Sequence, residues 1–433
     1  LNPETDLTRL TLGERDILYR HNAENALFRL TFIANSGYVS DPMLELATQY
    51  FPYLGTDQYT TDELMNQLYA LACDVSISCY GDQTYFTISG LEENRQAALV
   101  LAENWLTHAV ADKRVYKELV SDIVREHEDG KTDQNECSHQ LFLYGQYGAE
   151  SLAQRTLTPK QMHAIQPQTL LNHLREVAAS CFRVCYYGPA DVANVEKQVT
   201  GSFLFSGKAN GERAARPVRR QVKEREVLLA PYDAPNLVML AYADRGEIYN
   251  PKDEALIMLF NAYFGGSMGS IVFQEMREAR ALAYTASAEY NVPEYAGDTY
   301  CMLQFILSQN DKLQLCIETF DSICNNMPIS EKAFVQARES LLRQIEQRRY
   351  VRDAPLRAYM EFEERGWDHD LYRDIYQELQ TLTLDDLKRF ASDKVANNTF
   401  RYLILGNEKA LDTNYLSTLG PIWRLTLKDI FVY

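Results

Sequence analysis

The chain repeats itself. Leu54 to Tyr80 reads LGTDQYTTDELMNQLYALACDVSISCY, Phe264 to Tyr290 reads FGGSMGSIVFQEMREARALAYTASAEY, and the two align without a gap at an offset of 210 residues. Each copy opens with a glycine-containing loop, passes through an amphipathic helix pattern and ends in strand-like alternation. The flanks agree. ALFRLTFIANSG, ending at Gly37, and NLVMLAYADRG, ending at Gly246, are β-rich runs closed by a glycine turn. Near the end of each half a helix leads into a strand, as LLNHLREVAASCFRVCYYGP and as DLKRFASDKVANNTFRYLILGN. Solenoid units run roughly 20–50 residues, so a period this long marks a duplicated domain.

Within each half the order is two strands, helices, two strands, two long helices, a helical stretch, then a final strand and helix. That order predicts an α+β fold: a tandem duplication of a largely antiparallel sheet with helices packed on one face. The expected boundaries are a first domain over 1–205, a linker over 206–226 and a second domain over 227–433. The linker reads SGKANGERAARPVRRQVKERE from Ser206 to Glu226, polar and locally basic, and is expected to be solvated. A length of 433 residues suits two domains.

Composition excludes several function classes. The formal net charge of −17 argues against a nucleic-acid partner, which would require a basic face. The same acidity suits cationic peptides, although it is also what keeps ordinary proteins in solution. No run approaches the ~20 apolar residues of a membrane span. The eight cysteines include no C-x-x-C and follow neither zinc-ribbon nor disulfide-scaffold spacing, so they read as buried thiols, with their redox state left open. The chain opens on Leu1 rather than methionine, which suggests a processed or excised piece, and both periplasm and cytoplasm stay open as compartments.

No complete active site is written in the sequence. There is no G-x-S-x-G elbow, no phosphate-binding G-x-x-x-x-G-K-[ST] and no dinucleotide fingerprint. The seven histidines include no pair four apart, so neither H-E-x-x-H nor H-x-x-E-H occurs. A zinc hydrolase needs three fixed ligands and a base, and a helical histidine pair is the usual device. No metal site and no catalytic residue are therefore expected in this chain. GGSMGS, Gly265 to Ser270, precedes a helix and by itself reads as a structural turn.

The segment Phe264 to Ala288, with its glycine loop opening onto F-Q-E-x-R-E-x-x-x-L-A-Y, resembles the C-terminal domain signature of pitrilysin-type (insulinase-like) zinc metallopeptidases. With the duplicated order, the resemblance covers essentially the whole chain. It implies a clamshell of two halves closing around a peptide. One half carries H-x-x-E-H and a distal glutamate, and the other supplies an arginine and a tyrosine seven residues apart that hold substrate against the zinc. Arg277 and Tyr284 match that pair. An arginine fork grips peptide carbonyls, and a tyrosine hydroxyl can donate to a developing oxyanion. Seven residues are two helical turns, which would bring both toward one point. On the same alignment the family's H-x-x-E-H falls on Leu46, Ala47, Thr48, Gln49 and Tyr50, with both histidines and the base replaced. Glu126, at the distal glutamate's position, reads as a helix surface residue.

The resemblance thus implies a non-catalytic half that positions peptides for zinc held by an H-x-x-E-H partner, in the same long chain or a separate subunit. No cofactor is expected in this chain itself, and a homodimer can form when the partner is absent. The alternative is a structural or interaction protein that keeps the fold without a proteolytic role.

Overall fold

The computed structural model describes residues 1–265 and 267–433. Twelve strands form two six-stranded sheets. The first half contributes β1 (Thr8–Leu12), β2 (Arg15–His21), β3 (Leu27–Ala34), β4 (Cys73–Cys79), β5 (Thr84–Leu91) and β6 (Arg183–Gly188). The second contributes β7 (Glu226–Pro231), β8 (Asn236–Ala243), β9 (Thr285–Asn291), β10 (Cys301–Gln309), β11 (Arg401–Gly406) and β12 (Ile422–Arg424). The spatial orders are β1-β2-β6-β3-β5-β4 and β12-β7-β11-β8-β10-β9. Five strands of each sheet correspond one to one. Only the outermost differs, preceding its sheet in the chain as β1 and following it as β12. The pairs β2–β6 and β7–β11 are parallel, and the three pairs that continue toward β4 or β9 are antiparallel. The duplicated α+β architecture expected from the sequence is borne out.

The sixth and eleventh strands explain why the sheets centre where they do. RVCYYG and RYLILG are buried at every position, the pattern of a strand covered on both faces. Each starts with an arginine that meets an acid on the adjacent parallel strand. Arg183 grips Asp16 through two bonds of 2.7 Å, and Arg401 binds Glu226. The desolvation of these charges is offset by bidentate or multiple hydrogen bonding.

Each sheet is covered on one face by its own helices and on the other by a helix from the opposite half. Leu44, Leu99 and Leu170, on helices Pro42–Tyr50, Arg95–His108 and Pro167–Ala179, are buried on the first sheet's own side, with Leu99 and Leu170 joining Phe32 and Phe86 in one core. On its far side Leu356, Tyr359 and Met360 of helix Ala354–Arg365 meet Leu18, Ile33 and Tyr187. Reciprocally, Cys137 and Leu141 of helix Gln134–Tyr147 meet Leu403, Leu405 and Tyr242 of the second sheet. Gly145 permits this approach: a Cβ there would lie 2.6 Å from the Leu403 side chain. The two strand arginines also reach across, Arg183 to Glu363 at 2.6 Å and Arg401 to the Gly145 carbonyl at 2.8 Å.

The segment before β7 differs from the solvated linker expected. Arg213 pairs with Asp82 of the first half at 3.2 Å and Glu364 of the second at 2.5 Å. Arg216 pairs with Asp298 at 2.9 Å and lies 3.4 Å from the Tyr295 ring centroid, while Val222 is buried. Its arginines bind acids of both halves instead of hydrating in the open, because the sequence runs between two acidic bodies.

Candidate functional site

Helix Pro42–Tyr50 begins with Asp41 as N-cap and proline in the first turn, which fixes its start. Leu46 and Tyr50, at the family's histidine positions, are buried in the first core, Tyr50 completely. The Tyr50 hydroxyl donates to the Asp112 carbonyl at 2.7 Å and accepts from the Asp112 N–H, and burial pushes its pKa above the ordinary phenol value. Its ring meets Tyr116 edge to face with centroids 5.4 Å apart. Gln49 and Glu126 are exposed. The first half therefore absorbs positions 46 and 50 into its core. Among the described residues, no group of three or more His, Cys, Asp or Glu side chains is arranged to hold a metal ion.

The second half carries the arginine–tyrosine motif on a different backbone. Gly265 closes helix Glu254–Phe264, and a Cβ there would fall 1.9 Å from the Ala288 carbonyl oxygen, so only glycine lets the loop pass this close to β9. Gly266 of the GGSMGS segment lies outside the described residues. Ser270 caps the next helix by accepting from the Phe273 N–H. After one α turn, Ile271–Phe273, the chain widens into a π turn over Gln274–Glu278, with Ala279 N–H bonded to the Gln274 carbonyl at 2.8 Å. Met276 points into the core and Arg277 out to solvent. Ala281 then takes a left-handed φ of 49°, and Tyr284 lies at the entry to β9, its N–H bonded to Leu307 at 2.8 Å.

Arg277 and Tyr284 are thus not two turns apart on one helix, as their spacing suggested. The helix ends between them, and a left-handed corner carries the chain into the sheet. Among the described residues, the Arg277 guanidinium has no ion-pair or hydrogen-bond partner and lies 5.1 Å from the Phe273 ring centroid. Its neighbours pair elsewhere, Arg280 with Glu275 at 3.3 Å. The Tyr284 side chain is about half exposed, its hydroxyl accepting from Gln309 at 3.3 Å. No hydrogen bond joins Arg277 to Tyr284.

Beside this motif runs a groove of about 720 Å³ between the glycine loop, β9 and helix Glu331–Gln347, with Ser287, Glu289, Gln336 and Ser340 in its walls. The ninth strand is a sheet edge. The Asn261 carboxamide bonds both backbone groups of Tyr290, at 2.8 and 3.0 Å, and no other described residue pairs with the strand's outer side. The sequence marked the loop and the motif, whereas the groove needed helix Glu331–Gln347, which lies far along the chain and carries no local signal.

These features define a class: a duplicated α+β scaffold in which positions 46 and 50 are closed by packing. Residues 177–341 match the family model of the peptidase M16 inactive domain. The match contains both Arg277 and Tyr284. No curated protein matches the sequence. Among solved structures, the M16 inactive domain from Pseudomonas fluorescens is similar at 15% identity over 94% of this chain and 99% of that one, with a TM-score of 0.73. The periplasmic protease PqqL from Escherichia coli has 15% identity over 93% of this chain and 46% of its own, with a TM-score of 0.73. The ferredoxin protease FusC, solved in complex with Arabidopsis ferredoxin, has 12% identity, coverage of 93% and 45%, and a TM-score of 0.73. At these identities the likeness is one of fold. The chain spans slightly less than half of the PqqL and FusC chains and nearly all of the Pseudomonas domain. Among the described residues, no helix is long and apolar enough to cross a membrane.

Proposed function

We propose that this chain is the non-catalytic half of a zinc-dependent peptidase, closing a peptide chamber against a partner that holds zinc in an H-x-x-E-H helix. Arg277 and Tyr284 then contact the substrate. The observation that carries the reading is a contrast within one duplicated fold. Positions 46 and 50 are absorbed into the core, while Arg277 stays in solvent without a partner. A surface guanidinium that forms no ion pair among the described residues, in a chain of net charge −17, is available to a peptide's carbonyls. The open outer side of β9 supports extended binding, since main-chain pairing to a strand edge gives affinity with little side-chain preference. The domain boundaries proposed with it are 1–205, a connecting 206–226 and 227–433.

The test is peptide hydrolysis by the chain alone and then mixed with the zinc-bearing half. Silence alone and cleavage on mixing is the expected result. In the mixture Arg277→Ala and Tyr284→Phe should each lower kcat/KM by ~10-fold or more, the scale of a lost transition-state hydrogen bond. Wild-type rates in both variants would leave the pair structural. Silence in the mixture would favour a structural protein that kept only the fold.

A further inference from the structure

A cavity of about 1040 Å³ lies away from the motif, between the two halves. Its walls include the solvent face of β4, the exchanged helix Ala354–Arg365 and the segment before β7. Six arginines line it, and five have an acidic partner: Arg29 and Arg357 share Asp353, the first at 3.6 Å, Arg216 meets Asp298 at 2.9 Å, Arg219 meets Asp244 at 3.6 Å, and Arg365 meets Glu361 at 3.2 Å.

The sixth, Arg155, has no acidic partner among the described residues. Its Nε donates to the Ser151 carbonyl at 2.8 Å and its Nη2 to the Ser151 hydroxyl at 3.3 Å. The guanidinium lies 5.3 Å from the Tyr147 ring centroid, and Nη1 is left without a hydrogen-bond partner. Burial pulls its pKa below the usual arginine value, with the Tyr147 and Tyr38 phenols as its charge neighbours. A half-buried cation without a counter-charge is unfavourable by itself, and an anion in the cavity removes that penalty. In so acidic a protein, the absence of a carboxylate at this one arginine leaves the position open for one brought by a ligand.

The fourth strand adds a second observation. Val75 and Ile77 pack toward the core while Ser76 and Ser78 face the cavity. It is the edge of the first sheet, and no described residue pairs with its outer side. The volume suits a ligand of a few residues or a small organic molecule.

We infer that the inter-half cavity is a binding site for a carboxylate-bearing ligand, with Arg155 receiving the carboxylate and β4 lying alongside the rest. Two sources carry this chemistry, the free C-terminus of a short peptide and a small organic acid. The site lies within this chain and requires neither zinc nor a partner half.

The experiment is calorimetric titration of the full chain with three probes: a tetra-alanine peptide with a free C-terminus, the same peptide amidated, and succinate. The free-acid peptide should bind, and amidation or Arg155→Gln should each weaken it by roughly 30-fold or more, the scale of unpairing a desolvated charge. Arg155→Lys, which keeps the charge, should retain part of the affinity, and a thermal melt of each variant checks that it is folded. Binding of succinate as tightly as the peptide assigns the site to small acids, whereas tighter peptide binding assigns it to C-termini. Equal binding of acid and amide, unchanged binding in a folded Arg155→Gln, or no binding of any probe overturns the inference. Arg277→Ala should leave these titrations unchanged, so failure here and failure of the proposed peptidase role are separate results.

Discussion

In the first half the glycine loop leads into a regular ten-residue helix, Thr61–Ala70, started by a Thr60–Glu63 capping box. In the second the same loop leads into one α turn and a π turn before the chain bends away. Each copy then turns at an alanine in the left-handed region, Ala72 at φ 48° and Ala281 at φ 49°, one position apart on the 210-residue offset. Non-glycine residues rarely adopt that conformation. What changed between the copies is the helix before the corner. The second copy replaces the regular helix with an α turn and a π turn, and π turns gather at functional sites. It lets Met276 stay buried while Arg277 faces solvent. Duplication preserved the scaffold while the side chains on it diverged.

That comparison can be broken at three depths. The largest effect belongs to the paired strand arginines. Arg183→Met should cost about 3 kcal/mol in urea denaturation, the lower end for a broken buried pair because Arg9 still reaches Asp16 at 2.8 Å. Arg401→Met should cost less, since Glu226 is more exposed than Asp16. The reverse ranking would mean that the two devices are not equivalent.

Next comes the closed zinc-helix position. Tyr50→Phe leaves the part-buried Asp112 N–H without its partner, while the Asp112 carbonyl keeps the Tyr116 N–H at 3.0 Å, and should cost roughly 1 kcal/mol. Tyr284→Phe, at an exposed hydroxyl, should stay within about 0.5 kcal/mol. Equal losses would remove the contrast between a structural and a displayed tyrosine.

The smallest effect is one of pH. His127 is stacked on Tyr433 with centroids 3.7 Å apart, and burial pulls its pKa below the ordinary value, with Lys131 adding to the effect and Glu126, Glu128 and Glu136 opposing it. Below about pH 6.5 the unfolded chain binds a proton there more readily than the folded one, so stability should fall as pH drops through that window. His127→Gln should flatten the slope in melts across this range. The counterpart helix Glu331–Gln347 contains no histidine, so an unchanged slope would place the titrating group elsewhere.

The duplication and the chain order of five strands in each half were legible in the sequence, because glycine turns, alternation and helix periodicity are local signals; β1, β12 and the spatial order of the sheets were not, and positions 46 and 50 were read through the family resemblance. The exchanged helices were not. Leu141 and Leu356 occupy ordinary amphipathic positions, and nothing near them says that the sheet they cover lies in the other half. The π turn was equally silent, since widening a helix needs no distinctive composition, and the two-turn geometry inferred for Arg277 and Tyr284 failed because the helix ends between them. Arg155 looked like any surface arginine until the other five around the cavity were seen to have partners.

The exchanged helices also constrain how the molecule is made. As the chain leaves the ribosome, the first sheet can close once β6 has emerged, yet Leu18, Ile33 and Tyr187 stay uncovered until residues 354–365 follow. An apolar sheet face must therefore wait through the synthesis of most of the second half, a period in which such surfaces attract the wrong neighbours. A truncation before residue 354 would leave that face permanently bare. A proteolytic nick between the halves, by contrast, would yield two fragments that remain locked together.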